Sequence, residues 1–373
     1  MPITEKEYRQ RLVFIRQLMR KKDLDALIVY SWKRGQVTYI SGYWPGYMAN
    51  MAMVIIPREG ELSLLIRLSF DLERARQASW IDDIRIASNL SKFASCCSQI
   101  LRKKGFSSRK VGFVAGDATV DEMPYSLLTT IKKDLPQVEF LSAFTLFEKA
   151  RFVKSKQEIN ILKNSALVAD LALENMAREL VPGKTEYELI AIVEKIAREK
   201  GGDEYLAAIT LKAAEEVIGP PQFKKVKKGD VVIVEFALRY QGYWTQVART
   251  FAVEGPSPEQ REIYQAVRSA YQAALSAAKP DNPVSQVAKA AYDTLASKGY
   301  KKHIQHDFGH GIGLDLPEKP SIRMEERGVI QPGMVLVIHP AIRKRGSGGA
   351  FLGGTVVVTK KGATPLHKIP EHL

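Results

Sequence analysis

Cysteine is almost missing from this chain, whose 373 residues include only Cys96 and Cys97. Adjacent cysteines lack the geometry of an ordinary disulfide, and the pair has no metal-ligand spacing. A place on one face of a helix is the expected role. No stretch approaches the ~20 apolar residues that cross a bilayer. The opening MPITEKEYRQ carries charges where a secretory segment needs an apolar run, so a cytoplasmic location is expected. Repeats, low-complexity tracts and long arms of one charge sign are also absent, which excludes fibres and solenoids.

With 45% hydrophobic and 26% charged residues, the chain has the balance of a globular protein and is long enough for two cores. A net charge of +14 attracts phosphates and carboxylates alike. That charge is spread over both halves, without the aromatic signature of RNA binding, and runs such as KKVKKGD at 224–230 read as solvated loops. Neither nucleic acid nor a membrane is expected as a partner. A small-molecule substrate is.

Hydrophobic periodicity places a helix over Glu5 to Lys22, a strand at ALIVY and a hairpin in MAMVIIP and ELSLLIR. KVGFVAG, a helix near Tyr125 to Lys133, and QVEFL complete an α/β domain over residues 1–150. A second domain, 151–373, opens with a helix from about Ser155 to Leu180, and a capping box at Thr185 starts the next. GDVVIVEFALRYQGYWTQVARTF gives two strands around a YQG turn. Two further helices follow, at about Pro258 to Ala277 and Val284 to Lys298. The glycine-rich FGHGIGLDLPEKP comes next, and two final strands, GMVLVIHPAIR and FLGGTVVVT, close the chain. Paired helices beside paired strands, occurring twice, predict a duplicated α+β architecture with a curved antiparallel sheet.

The segments VKKGDVVIVEFALRYQGYWTQVARTF, FGHGIGLDLPEKP, IQPGMVLVIHP and GGTVVVT resemble, in order and spacing, the pita-bread family of aminopeptidase P, prolidase, methionine aminopeptidase and creatinase. YRQRLVFIRQLMRKKDLDALIVYSWKRGQVTYISGY is similar to the start of the N-terminal domain in the aminopeptidase P and creatinase branch. The resemblance implies an α/β creatinase-type N-terminal domain, an α+β pita-bread C-terminal domain and a homodimer. It also implies a water-activating centre of two metal ions held by two aspartates, a histidine and two glutamates. Carried over by position, those ligands fall on Glu235, Gln246, His310, His339 and Gly353, so one of five is retained in kind. The family's auxiliary histidines fall on Ile218 and Pro317. Creatinase, which resembles this fold working without metal, relies on groups that fall on Ile218, Ala248 and Gly353.

Three readings of these residues stay open. Glu235, His310 and His339 form one candidate ligand set for a single zinc, iron or manganese ion. Alternatively, His310 or His339 is a general base, with Glu235 or Glu318 orienting it, for hydrolysis of a small nitrogen-containing or peptide-like substrate without the dinuclear centre. Gln246, His306, Glu318 and Arg343 are the candidate substrate-binding groups, His306 for a carboxylate or carbonyl oxygen and Arg343 for an anion. The third reading is a catalytically inactive pseudo-peptidase that binds a ligand or protein. In that case His310 bonds within the sheet, Glu235 pairs with Arg249, and Gly353 and Gly354 are loose packing. GHGIG lacks the strand, loop and helix order of a dinucleotide fingerprint.

Overall fold

The structure is a computed structural model that describes residues 3–32, 35–114, 123–211, 218–304 and 306–371. One compact unit is Ile3–Arg151 and a second begins at Phe152. In the first, the strand Ala26–Trp32 pairs antiparallel with Met51–Pro57 and parallel with Lys110–Val114, inside a six-stranded mixed sheet. Met51–Pro57 and Ser63–Ile66 form the expected hairpin. The helix Leu90–Lys103 carries both cysteines, with Cys97 buried on its sheet-facing side among Tyr30, Phe93 and Ile100.

The second unit is built on an eight-stranded antiparallel sheet. Its order runs Glu318–Ser321, Gly309–Gly311, Val335–Ile338, Gly353–Thr359, Tyr243–Ala252, Val231–Tyr240, Gly202–Thr210, and Gly362–Pro365 pairs with Gly353–Thr359. Capping boxes at Ser155 and Thr185 start the helices Lys156–Arg178 and Glu186–Glu199, and a third at Ser257 starts Pro258–Ala277. Each box satisfies amide groups that the first helical turn cannot. The first pair packs Leu173, Leu189 and Val193 against Val234, Phe236 and Leu238. The pair Pro258–Ala277 and Val284–Ser297 packs Val267, Ala270 and Val287 against Leu336, Ile338 and Val356.

Val231–Tyr240 and Tyr243–Ala252 are in register over their full length, joined through Gln241 and Gly242. Both joining residues have positive φ, the requirement of a two-residue hairpin turn that follows strand twist. The two final strands expected from sequence are instead four. GMVLVIHPAIR is split into Val335–Ile338 and Ala341–Lys344, and FLGGTVVVT contributes to Gly348–Phe351 and Gly353–Thr359. Ala341–Lys344 and Gly348–Phe351 form a separate two-stranded sheet. Pro340 lacks the N–H that a continuous ladder needs, so the chain leaves the large sheet directly after His339.

Candidate active site

His310 sits in a three-residue strand held on both sides, opposite Ser321 and opposite Val337. The glycine before it makes this possible: a Cβ on Gly309, whose φ is +148°, would stand 1.9 Å from the Val337 carbonyl oxygen. Nδ1 of His310 lies 2.8 Å from the Gly311 carbonyl oxygen. A carbonyl can only accept, so Nδ1 carries the proton and neutral His310 keeps a lone pair on Nε2. Burial lowers the His310 pKa and holds it in this basic form.

His339 directly follows the adjacent strand Val335–Ile338, anchored by its backbone N–H on the Phe308 carbonyl at 2.9 Å. Its ring centroid is 5.5 Å from that of His310 and 5.2 Å from that of His306. Burial first, then the neighbouring imidazoles His310 and His306, drives its pKa well below the ordinary value. Nδ1 of His339 is buried without a hydrogen-bond partner. Phe351 closes the group edge-on, 5.2 Å from His339 and 5.3 Å from His306. His306 is exposed, and its Nδ1 donates to the Asp307 carbonyl at 2.5 Å.

Glu235 and Gln246 come from the long hairpin, and the Gln246 amide donates a short hydrogen bond to Glu235 Oε1. Burial raises the Glu235 pKa, against the opposing effects of that hydrogen bond and of His306. Gln246 Oε1 is buried without a partner. Ile218, Ile233, Ala248, Ala341 and Phe351 pack into one apolar cluster, so Phe351 joins an apolar wall to the imidazoles.

Several sequence expectations are corrected here. Glu318 is not an open substrate group: it forms a buried ion pair with Lys154 at 2.8 Å and accepts from the Asp315 amide. Its charge acts on His310 through space. Arg249 does not pair with Glu235; it stands opposite Val234 and donates to the carbonyls of Ala248, Gly353 and Ile369. Gly353 is the opposite of loose packing. Its φ is +156°, and a Cβ there would lie 2.0 Å from the Ile338 carbonyl oxygen and 2.6 Å from the His339 Cα. The Arg343 expectation is not overturned: the residue lies on the Ala341–Lys344 strand, opposite Gly349. Lys154 and Phe351 carry no signal in the sequence; Lys154 is 164 residues from Glu318, and no local pattern announces such a pair.

The described residues do not fit a metal ion. Among the described residues no group of three His, Cys, Asp or Glu side chains is arranged to hold one. One Glu235 oxygen is taken by the Gln246 amide. At Gly353 the backbone leaves no room for a side chain of any kind. What the described residues offer instead is a carboxyl group, Glu235, that burial biases toward its acid form, and two imidazoles, His310 and His339, that burial biases toward their basic form, with His306 acting electrostatically on all three, a set suited to proton transfer.

Comparison with known proteins places this geometry in context. The metallopeptidase family M24 matches residues 160–360, and the creatinase/prolidase N-terminal domain matches residues 11–153. An Xaa-Pro dipeptidase of Pyrococcus horikoshii is 27% identical over 367 residues, covering 96% of each chain. One from Pyrococcus furiosus is 30% identical over 254 residues, covering 67% of this chain and 73% of its own. The structure of an Xaa-Pro dipeptidase from Bacillus anthracis superimposes with a TM-score of 0.86 at 25% identity, covering 98% of this chain and 99% of that one.

Proposed function

Because the chain belongs to metallopeptidase family M24, with a creatinase-type α/β domain ahead of the pita-bread domain, we propose that it is a prolidase-like hydrolase whose proton transfers run without the family's dinuclear metal centre. The substrate is a small nitrogen-containing or peptide-like molecule with a carbon–nitrogen bond to be cleaved. The observation that carries this reading is that burial raises the carboxyl pKa of Glu235, which accepts from the Gln246 amide, and lowers the imidazole pKa of His310, while His306 acts electrostatically on both.

His310 Nε2 takes a proton from water as the water oxygen attacks the carbonyl carbon. Glu235, in its acid form, donates a hydrogen bond to the carbonyl oxygen, where charge develops. The Gln246 amide holds one carboxyl oxygen and leaves the other to carry the proton. When the carbon–nitrogen bond breaks, the imidazolium returns its proton to the leaving nitrogen, so one water is consumed and both groups are regenerated. His339 presents a buried, unbonded Nδ1 and stays neutral, which makes it a positioning group for the substrate. The homodimer implied by the family resemblance is part of the same proposal.

The test is turnover of a panel of dipeptides, including Xaa-Pro, and of amino-acid amides by purified protein, with and without a strong chelator. We expect cleavage that survives the chelator and falls at least a hundredfold in the His310→Ala variant, in the range for loss of a general base. Xaa-Pro cleavage that requires added manganese or zinc and is abolished by the chelator defeats the proposal. The buried unpaired atoms of His339 and Gln246 favour a ligand in either case. Retention of a ligand with no turnover of any amide supports the binding-protein reading instead.

A further inference from the structure

The two-stranded sheet Ala341–Lys344 and Gly348–Phe351 has two unlike faces. Ile342 and Ala350, opposite each other, enter the main core, and Lys344 on the same face pairs with Glu259 at 2.6 Å. Side chains alternate along a strand, and opposed residues of an antiparallel pair share a face. Ala341, Phe351 and Arg343 therefore share the other face. Ala341 and Phe351 belong to the apolar cluster with Ile218, Ile233 and Ala248, and Phe351 touches His306 and His339 edge-on. Arg343 is one step further out and is partly buried. It stands opposite Gly349, which offers no side chain. Its guanidinium makes no hydrogen bond or ion pair with a described residue.

From imidazoles to guanidinium the order is thus reacting groups, apolar strip, unpaired cation. A half-buried guanidinium with no partner, at the end of an apolar strip that starts at unbonded buried polar atoms, is arranged for a planar anion. We propose that Arg343 binds a carboxylate of the substrate, and that an apolar spacer separates this carboxylate from the group held at His310 and Glu235. The inference rests on the hydrolase reading only for the identity of the reacting end. The anion subsite stands on the hairpin geometry alone.

Adipic acid monoamide places a carboxylate and an amide at the two ends of an apolar chain, and adipamide is its uncharged counterpart. Titration calorimetry with the full chain is expected to show at least tenfold tighter binding of the monoamide. Arg343→Gln removes the preference while leaving adipamide affinity unchanged, and Arg343→Lys keeps part of it, because an ammonium supplies charge without the planar fork. Equal binding of the two compounds overturns the proposal, as does a preference that survives in Arg343→Gln or no monoamide binding at millimolar concentration. The His310→Ala variant separates the two ideas. It is expected to keep the carboxylate preference, and a preference found in a wild-type protein that cleaves no amide would refute the hydrolase reading while leaving the subsite intact.

Discussion

Glu235 and His310 are pushed in opposite directions by the same cause, removal from water. Burial disfavours whichever form is charged, so the carboxyl holds its proton longer and the imidazole gives its proton up sooner. For hydrolysis that needs neutral His310 and protonated Glu235, activity falls as pH drops through the His310 value, which lies below 6.5. It falls again as pH rises through the Glu235 value, which lies above 4.5. The Glu235→Gln variant is expected to lose the alkaline limb and keep the acid limb, with kcat lowered by about 10²- to 10⁴-fold. A pH–rate profile of that variant in which the alkaline limb persists would assign the limb to another group.

At the scale of elements, the site depends on two close approaches between strands. Gly309 lies against the Val337 carbonyl, and Gly353 against the Ile338 carbonyl and the His339 backbone. Both approaches place His310 and His339 within ring contact. Gly353→Glu, the change that would add a carboxylate where the family resemblance places a ligand, puts a side chain into the backbone at a positive φ. We expect it to destabilise the fold by at least about 3 kcal/mol, combining strain and overpacking, as read by chemical denaturation. It should gain no manganese binding by calorimetry. A stable Gly353→Glu protein that binds manganese would show that the strand can move aside. The sequence legibly announced the glycines around His310 and the hairpin bearing Glu235 and Gln246, because turn and alternation signals are local. It announced neither the break at Pro340 as a change of sheet nor the Lys154–Glu318 pair. Both depend on which strands become neighbours.

At the scale of the whole molecule, the described residues contain no helix long and apolar enough to cross a membrane. The net charge of +14 belongs to a chain whose candidate substrate subsite is cationic at Arg343, and excess positive charge draws anionic small molecules toward it. The homodimer carried over from the resemblance predicts a particle of twice the chain mass in sedimentation equilibrium at micromolar concentration. A mass equal to one chain across that range would remove it.

Periodicity, capping boxes and the hairpin turn, read from the sequence alone, were enough to place most helices and the long hairpin, since each is decided by neighbours a few residues apart. The motifs placed the chain in its fold, and the resemblance they carry puts four of the five ligand positions on other residue types. Only the tertiary structure decided what took their place. The Glu235–Gln246 hydrogen bond, the three imidazoles closed by Phe351, the neutralising burial and the unpaired Arg343 all arise where distant segments meet. Desolvation and packing are properties of that meeting, and no segment carries them by itself.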